Sequence, residues 1–173
     1  MSRRLLLRTI PLFALFSILV VGSACAAQIW SGRTFSFSKS GGANPALPAN
    51  QDRITPLVWI TRGNTQGIYN AYSEVAYSSF YSPAGTEWAT GDAVNYSSLS
   101  FSPWELWNGS FPPLMVGVNA VVHLIDEDIY IDIRFDSWAS GLLGGGGFSY
   151  HRASEPATPT RSTTWGRVKT LYR

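Results

Sequence analysis

Three carboxylates, Asp126, Glu127 and Asp128, stand in succession between two strand-like runs. Hard oxygen ligands gathered in one turn are what calcium takes, so this triplet is the candidate metal site, and calcium the only cofactor the chain brings to mind. A solvated hairpin tip is the competing reading. Asp132 and Asp136 follow along a strand at about 13 Å per four residues, too far apart to share an ion. Asp132 and Arg134 are expected to form cross-strand pairs instead.

The second chemical signal is aromatic. The chain holds seven tryptophans, and Trp88, Trp104 and Trp107 stand near Gly, Pro and Asn in expected loops, where an indole can stack on a sugar ring. These three are the candidate ligand-binding residues. Their competing role is to fill the core, as large aromatics usually do.

Catalysis finds no comparable signal. The two histidines, His123 in an apolar strand and His151 near the last strand, stand with no nucleophile. Gly-x-Ser-x-Gly and His-Glu-x-x-His patterns are absent, and the four glycines at 144–147 precede a strand where a phosphate loop needs a helix N-terminus. Acid pairs for glycoside cleavage could be drawn from Glu74, Glu87, Asp92 and Glu105, but any chain with 11 carboxylates offers such pairs. No residue is assigned a catalytic role.

The elements that must position these groups are strands. Residues 29–39 alternate, with Ile29, Arg33, Phe35 and Phe37 opposite Trp30, Thr34, Ser36 and Ser38. Residues 55–61, 68–81, 87–90 and 94–101 read as further strands between Pro-, Asn- and Gly-rich breaks. The clearest pattern is a long hairpin, 115–125 and 128–138, meeting at Asp126-Glu127. In its second arm Ile129, Ile131, Ile133 and Phe135 alternate with Asp128, Tyr130, Asp132, Arg134 and Asp136. Residues 148–152 close the set. About eight short strands with no helical period predict an all-β fold, an antiparallel β-sandwich with the jelly roll as one arrangement.

The N-terminus reads as an export signal over residues 1–26. Arg3, Arg4 and Arg8 precede an apolar run over 10–21, and Ala24 and Ala26 form the small-x-small pattern of a cleavage site. A twin-arginine route, from Ser2-Arg3-Arg4, and acylation at Cys25 are the alternatives to plain secretion. The run is too short and too broken to span a membrane, so no transmembrane span is expected in the mature protein.

Removing the signal takes three of the 13 basic residues and leaves ten against 11 acids, a net charge of −1. No electrostatic footprint for nucleic acid remains. The chain's one cysteine, Cys25, leaves with the signal, so neither disulfides nor sulfur ligands support the fold. The β domain is expected over 27–152. Residues 153–173 are a Ser/Thr/Pro-rich linker with a short basic tail.

The run Asp128-Ile129-Tyr130-Ile131-Asp132-Ile133-Arg134-Phe135, then Ser137-Trp138 and Gly145-Gly146-Gly147-Phe148-Ser149-Tyr150, resembles a group of uncharacterised secreted bacterial proteins. Residues 50–55 and 59–63 extend the likeness, which spans most of 29–152. It implies export and a shared domain and assigns no activity.

These readings converge on an exported, non-catalytic module for binding or adhesion, acting outside the cytoplasm in the periplasm, at the surface or in the medium. Its expected partner is an extracellular glycan. Self-assembly into envelope or matrix structure is the alternative, and a polysaccharide-active enzyme stands third. The intact mass of the exported protein checks the first step: it should begin at Ala27, without thiol or lipid, and an acylated Cys25 or a retained leader would contradict the cleavage.

Overall fold

The structure, a computed structural model, describes residues 26–157. The proposed signal, up to Cys25, and the tail from residue 158 lie outside the described residues. In chain order the strands are β1 (Gln28–Trp30), β2 (Thr34–Lys39), β3 (Asp52–Arg53), β4 (Trp59–Arg62), β5 (Ile68–Asn70), β6 (Thr86–Thr90), β7 (Ala120–Leu124), β8 (Ile129–Trp138) and β9 (Phe148–Ala153). A single helical turn, α1 (Trp104–Trp107), and several 3-10 turns join them.

The larger sheet has the order β2-β9-β8-β7-β6, with β1 beside the first half of β8, and the smaller sheet the order β3-β4-β5. All pairings are antiparallel except β1 with β8. The all-β reading holds.

The expected hairpin is β7 and β8, paired from Leu124 with Ile129 to Ala120 with Ile133. Asp128 closes its turn at φ 51°, a left-handed conformation that Asp tolerates better than most residues. Ile129, Ile131, Ile133 and Phe135 are buried as the alternation predicts. They join Ile54, Val58, Ile60 and Ile68, from in and around the smaller sheet, in one hydrophobic cluster. Each such side chain contributes about 1.5–3 kcal/mol on burial.

Three expected strands come out differently. Residues 29–39 break at 31–33, where the Gly32 amide bonds the Ser154 carbonyl, and the break resets the alternation so that Trp30 and Phe37 both face the core. Residues 93–98 form 3-10 turns rather than a strand, with the Ala93 amide held by Asp132 Oδ1 at 2.6 Å. Of 68–81 only β5 pairs, because Asn70 spends its side chain on the Trp59 amide and the Leu57 and Ala84 carbonyls, tying the loop down.

The two sheets are also joined through charge. Asp52 of β3 accepts from Arg152 Nε at 2.7 Å and Nη2 at 2.8 Å, and from the Tyr150 hydroxyl at 2.6 Å. All three residues are buried, and the Tyr150 phenol is pushed well above its usual pKa, first by burial and then by Asp52. Breaking such a pair leaves an uncompensated interior charge, at a cost of about 3–5 kcal/mol. Urea denaturation should therefore show Asp52→Ala or Arg152→Met destabilised by roughly that amount, and Asp52→Leu combined with Arg152→Met by less than either single change. Additive losses would show that the pair does not act as a unit.

Candidate functional site

The structure separates the three candidate tryptophans. Trp88 lies in β6, not in a loop, and is 0 % exposed, with its indole N–H on Thr86 Oγ1 at 3.1 Å. Its ring stacks on Trp107 at 5.8 Å and 27°, and Trp107 donates to Thr90 Oγ1 at 3.0 Å. Trp88 is thus a core residue that no ligand can stack on, and Trp107 packs partly buried against it. The binding role expected of Trp88 is corrected to support, while Trp107 keeps a partly exposed ring.

Trp104 differs. It too is 0 % exposed, but its indole N–H has no partner, and neither has the amide of Asn108, one turn further along the same face. Among the described residues these are the buried side-chain polar atoms without a hydrogen bond. An unsatisfied buried donor or acceptor costs about 1–3 kcal/mol, so each asks for an explanation.

Trp104 lines a cleft of about 370 Å³ with Arg62, Tyr77, Glu105, Phe111 and Trp138. Arg62 ends β4, Trp138 ends β8, and α1 supplies Trp104 and Glu105. The Trp104 amide is held by Ser82 Oγ at 2.8 Å. Trp104 and Trp138 meet at 5.6 Å and 40°. The close approach depends on Gly67, where a Cβ would lie 2.4 Å from the Tyr77 ring and 2.7 Å from that of Trp104.

The polar groups of the cleft are fixed. Arg62 stacks over Trp138 at 3.6 Å and donates to the carbonyls of Gln66 (2.8 Å), Ala139 (3.0 Å) and Gly147 (3.1 Å). Burial lowers its pKa to about 10. Glu105 Oε2 accepts from the Tyr77 hydroxyl at 2.5 Å and from the Phe80 amide. Burial, and then the Glu105 hydrogen bond, push the Tyr77 phenol up to about 12, so it is neutral at physiological pH. The cleft offers the aromatic side chains of Tyr77, Phe111 and Trp138, a cation and a carboxylate, with the buried Trp104 behind them.

The carboxylate triplet does not converge. Glu127 Oε2 accepts from Thr55 Oγ1 at 3.0 Å, Asp128 Oδ1 lies 3.2 Å from His123 Nε2, and Asp126 is exposed. Among the described residues no three groups of metal-binding type could hold an ion, so the calcium site is corrected to a turn in which Glu127 and Asp128 hold separate partners and Asp126 faces water. The cross-strand ion pairs expected of Asp132 and Arg134 do not form among the described residues: Asp132 takes the Ala93 amide, and Arg134 has no carboxylate partner.

His123 sits on the outward face of β7 between Glu87 (2.8 Å) and Asp128, with the Tyr130 ring parallel at 4.1 Å. A groove of about 410 Å³ crosses the same sheet beside Asp92, Asp132, Arg134 and His151. Although it is larger, its acids and Arg134 are exposed to water, and His151 is held by Asp136 at 2.9 Å. Among the described residues the cleft beside Trp104 is the one that joins aromatic side chains to a buried arginine and a carboxylate.

Arg62, Tyr77 and Trp138 escaped the sequence reading because they come from three separate segments. A charged residue ending the apolar run Trp59-Ile60-Thr61 was the one local sign. The chain matches no protein-family model, no curated protein and no solved structure, so the site is argued from its own geometry. A phenol whose folded pKa stands above its unfolded value of 10.0 supports folding below that pH and loses its contribution as pH rises toward about 12. Urea midpoints across that window should fall less steeply for Tyr77→Phe than for the unaltered protein. An identical slope would show that Tyr77 ionises freely.

Proposed function

We infer that the protein is an exported, non-catalytic binding module whose cleft at Trp104 and Trp138 takes a short stretch of polysaccharide. The observation that carries this reading is the cleft itself, where the aromatic side chains of Tyr77, Phe111 and Trp138 meet Arg62 and Glu105. A sugar presents apolar C–H faces that suit aromatic rings and hydroxyls that pair with fixed polar groups. Arg62 and Glu105 supply the few fixed polar groups that orient a ligand. Glu105 is the cleft's only carboxylate, which favours binding over hydrolysis by paired acids.

Self-assembly is the second reading, and it draws on exposed apolar residues beside the cleft. Phe80, Leu106, Leu114, Leu142 and Leu143 are largely open to solvent. A patch of this kind fits a neighbouring copy when rimmed by polar groups. Sizing chromatography over a range of concentrations separates the two: a monomer that binds supports the module, and polymers that do not bind support assembly.

Titration calorimetry with a panel of oligosaccharides tests the first reading. Trp138→Ala removes the partly exposed indole of the cleft and should weaken binding about tenfold, the equivalent of about 1.4 kcal/mol. Trp88→Phe, behind the cleft, should change affinity little while lowering stability. Turnover of any of these sugars that disappears in Glu105→Gln would establish an enzyme instead.

A further inference from the structure

Lys39, at the end of β2, is 2 % exposed, yet its ammonium meets only the Ser40 carbonyl, at 3.5 Å. Arg62 is 3 % exposed and bonded only to carbonyls. Among the described residues the ion pairs are those of His123 with Glu87 and Asp128, His151 with Asp136, and Arg152 with Asp52. Neither Lys39 nor Arg62 has a carboxylate. Burial lowers the Lys39 pKa, and the charge of Arg62 lowers it further.

Two buried like charges without a counter-ion are costly, and chains seldom keep them unless something answers the charge. Trp138 links the two. Arg62 lies over its ring in the cleft, while Lys39 and Trp138 together line an adjoining groove of about 380 Å³. Ser137, Ser149 and Gly147 line the same groove and leave its polar surface free of acids. The nearby carboxylate, Glu105, has an oxygen already occupied by Tyr77 and the Phe80 amide.

We propose that the ligand is an acidic glycan of the polyuronate class, running across Trp138 with its carboxylates answering Arg62 in the cleft and Lys39 in the adjoining groove. This rests on the cleft being a sugar site and adds the charge of the sugar. It also accounts for the lysine at a strand position facing Phe148, where an apolar residue would pack at lower cost.

Calorimetry with an oligogalacturonate and an oligomannuronate, each beside its methyl ester, and with neutral oligosaccharides of equal length, tests the proposal on the unaltered protein. At least one free acid should bind ten times or more tightly than its ester, and added salt should erode the difference. Lys39→Met should lose about tenfold for the acid and nothing for the ester, with melting temperature unchanged or raised. Equal binding of acid and ester, or binding of neutral sugars alone, overturns the charge inference and leaves the sugar site standing. Binding of none of these sugars overturns both. Inorganic sulfate binding as tightly as the uronate would make this an anion site without sugar recognition, and the proposal would fall.

Discussion

The Asp52 carboxylate is the point on which the two sheets depend. It stands on a two-residue strand and takes two hydrogen bonds from Arg152 and one from Tyr150, both in β9 of the larger sheet. A strand so short has little apolar surface of its own to bury. Placing an ion in the core forces its partner to one position, since any shift leaves a charge unsolvated, so the pair fixes where β3 and β4 sit against β9. Arg62 of β4 adds a second tie, bonding the Ala139 and Gly147 carbonyls at the far end of β8 and at the start of β9.

The cleft is a by-product of that arrangement. With β4 held against the ends of β8 and β9, Arg62 arrives over Trp138, and α1 brings Trp104 to the same ring. The glycine before β5 removes the side chain that would otherwise separate Tyr77 from Trp104. Rigid walls of this kind hold a site open without a ligand and reduce the ordering cost of binding one. The cations left without acids around Trp138 are where stability was conceded, and they lie in the cleft and in the groove beside it.

Local patterns in the sequence carried the fold further than the site. The alternation of β8, the Asp126-Glu127 turn and the closing strand after the glycines are all set by neighbours in the chain, and they stand where period and turn chemistry place them. Residues 94–101 misled, because Val94, Tyr96, Leu99 and Phe101 are strand-favouring types whose phase breaks at Ser97-Ser98, while Asp132, 39 residues away from Ala93, holds the amide that begins the 3-10 turns. The aromatic signal was real but unresolved. Residue type places Trp88, Trp104 and Trp107 near a ligand equally, and only tertiary packing decides that the first two are buried and that one of them keeps a free N–H. Asp126, Glu127 and Asp128 are adjacent in sequence, yet a turn points successive side chains in different directions, so adjacency did not make a ligand set.

If the cleft takes a sugar, the partly exposed Trp138 meets it directly, while Trp104 is buried behind it. The most direct measurement is the nitrogen-15 spectrum of the indole groups, in which the seven tryptophans give separate N–H signals. On titration with a bound oligosaccharide, the Trp138 signal should move most, with Trp104 next and Trp88 nearly still. A shift confined to other indoles, or a Trp138 signal that stays in place while the sugar binds, would contradict the account.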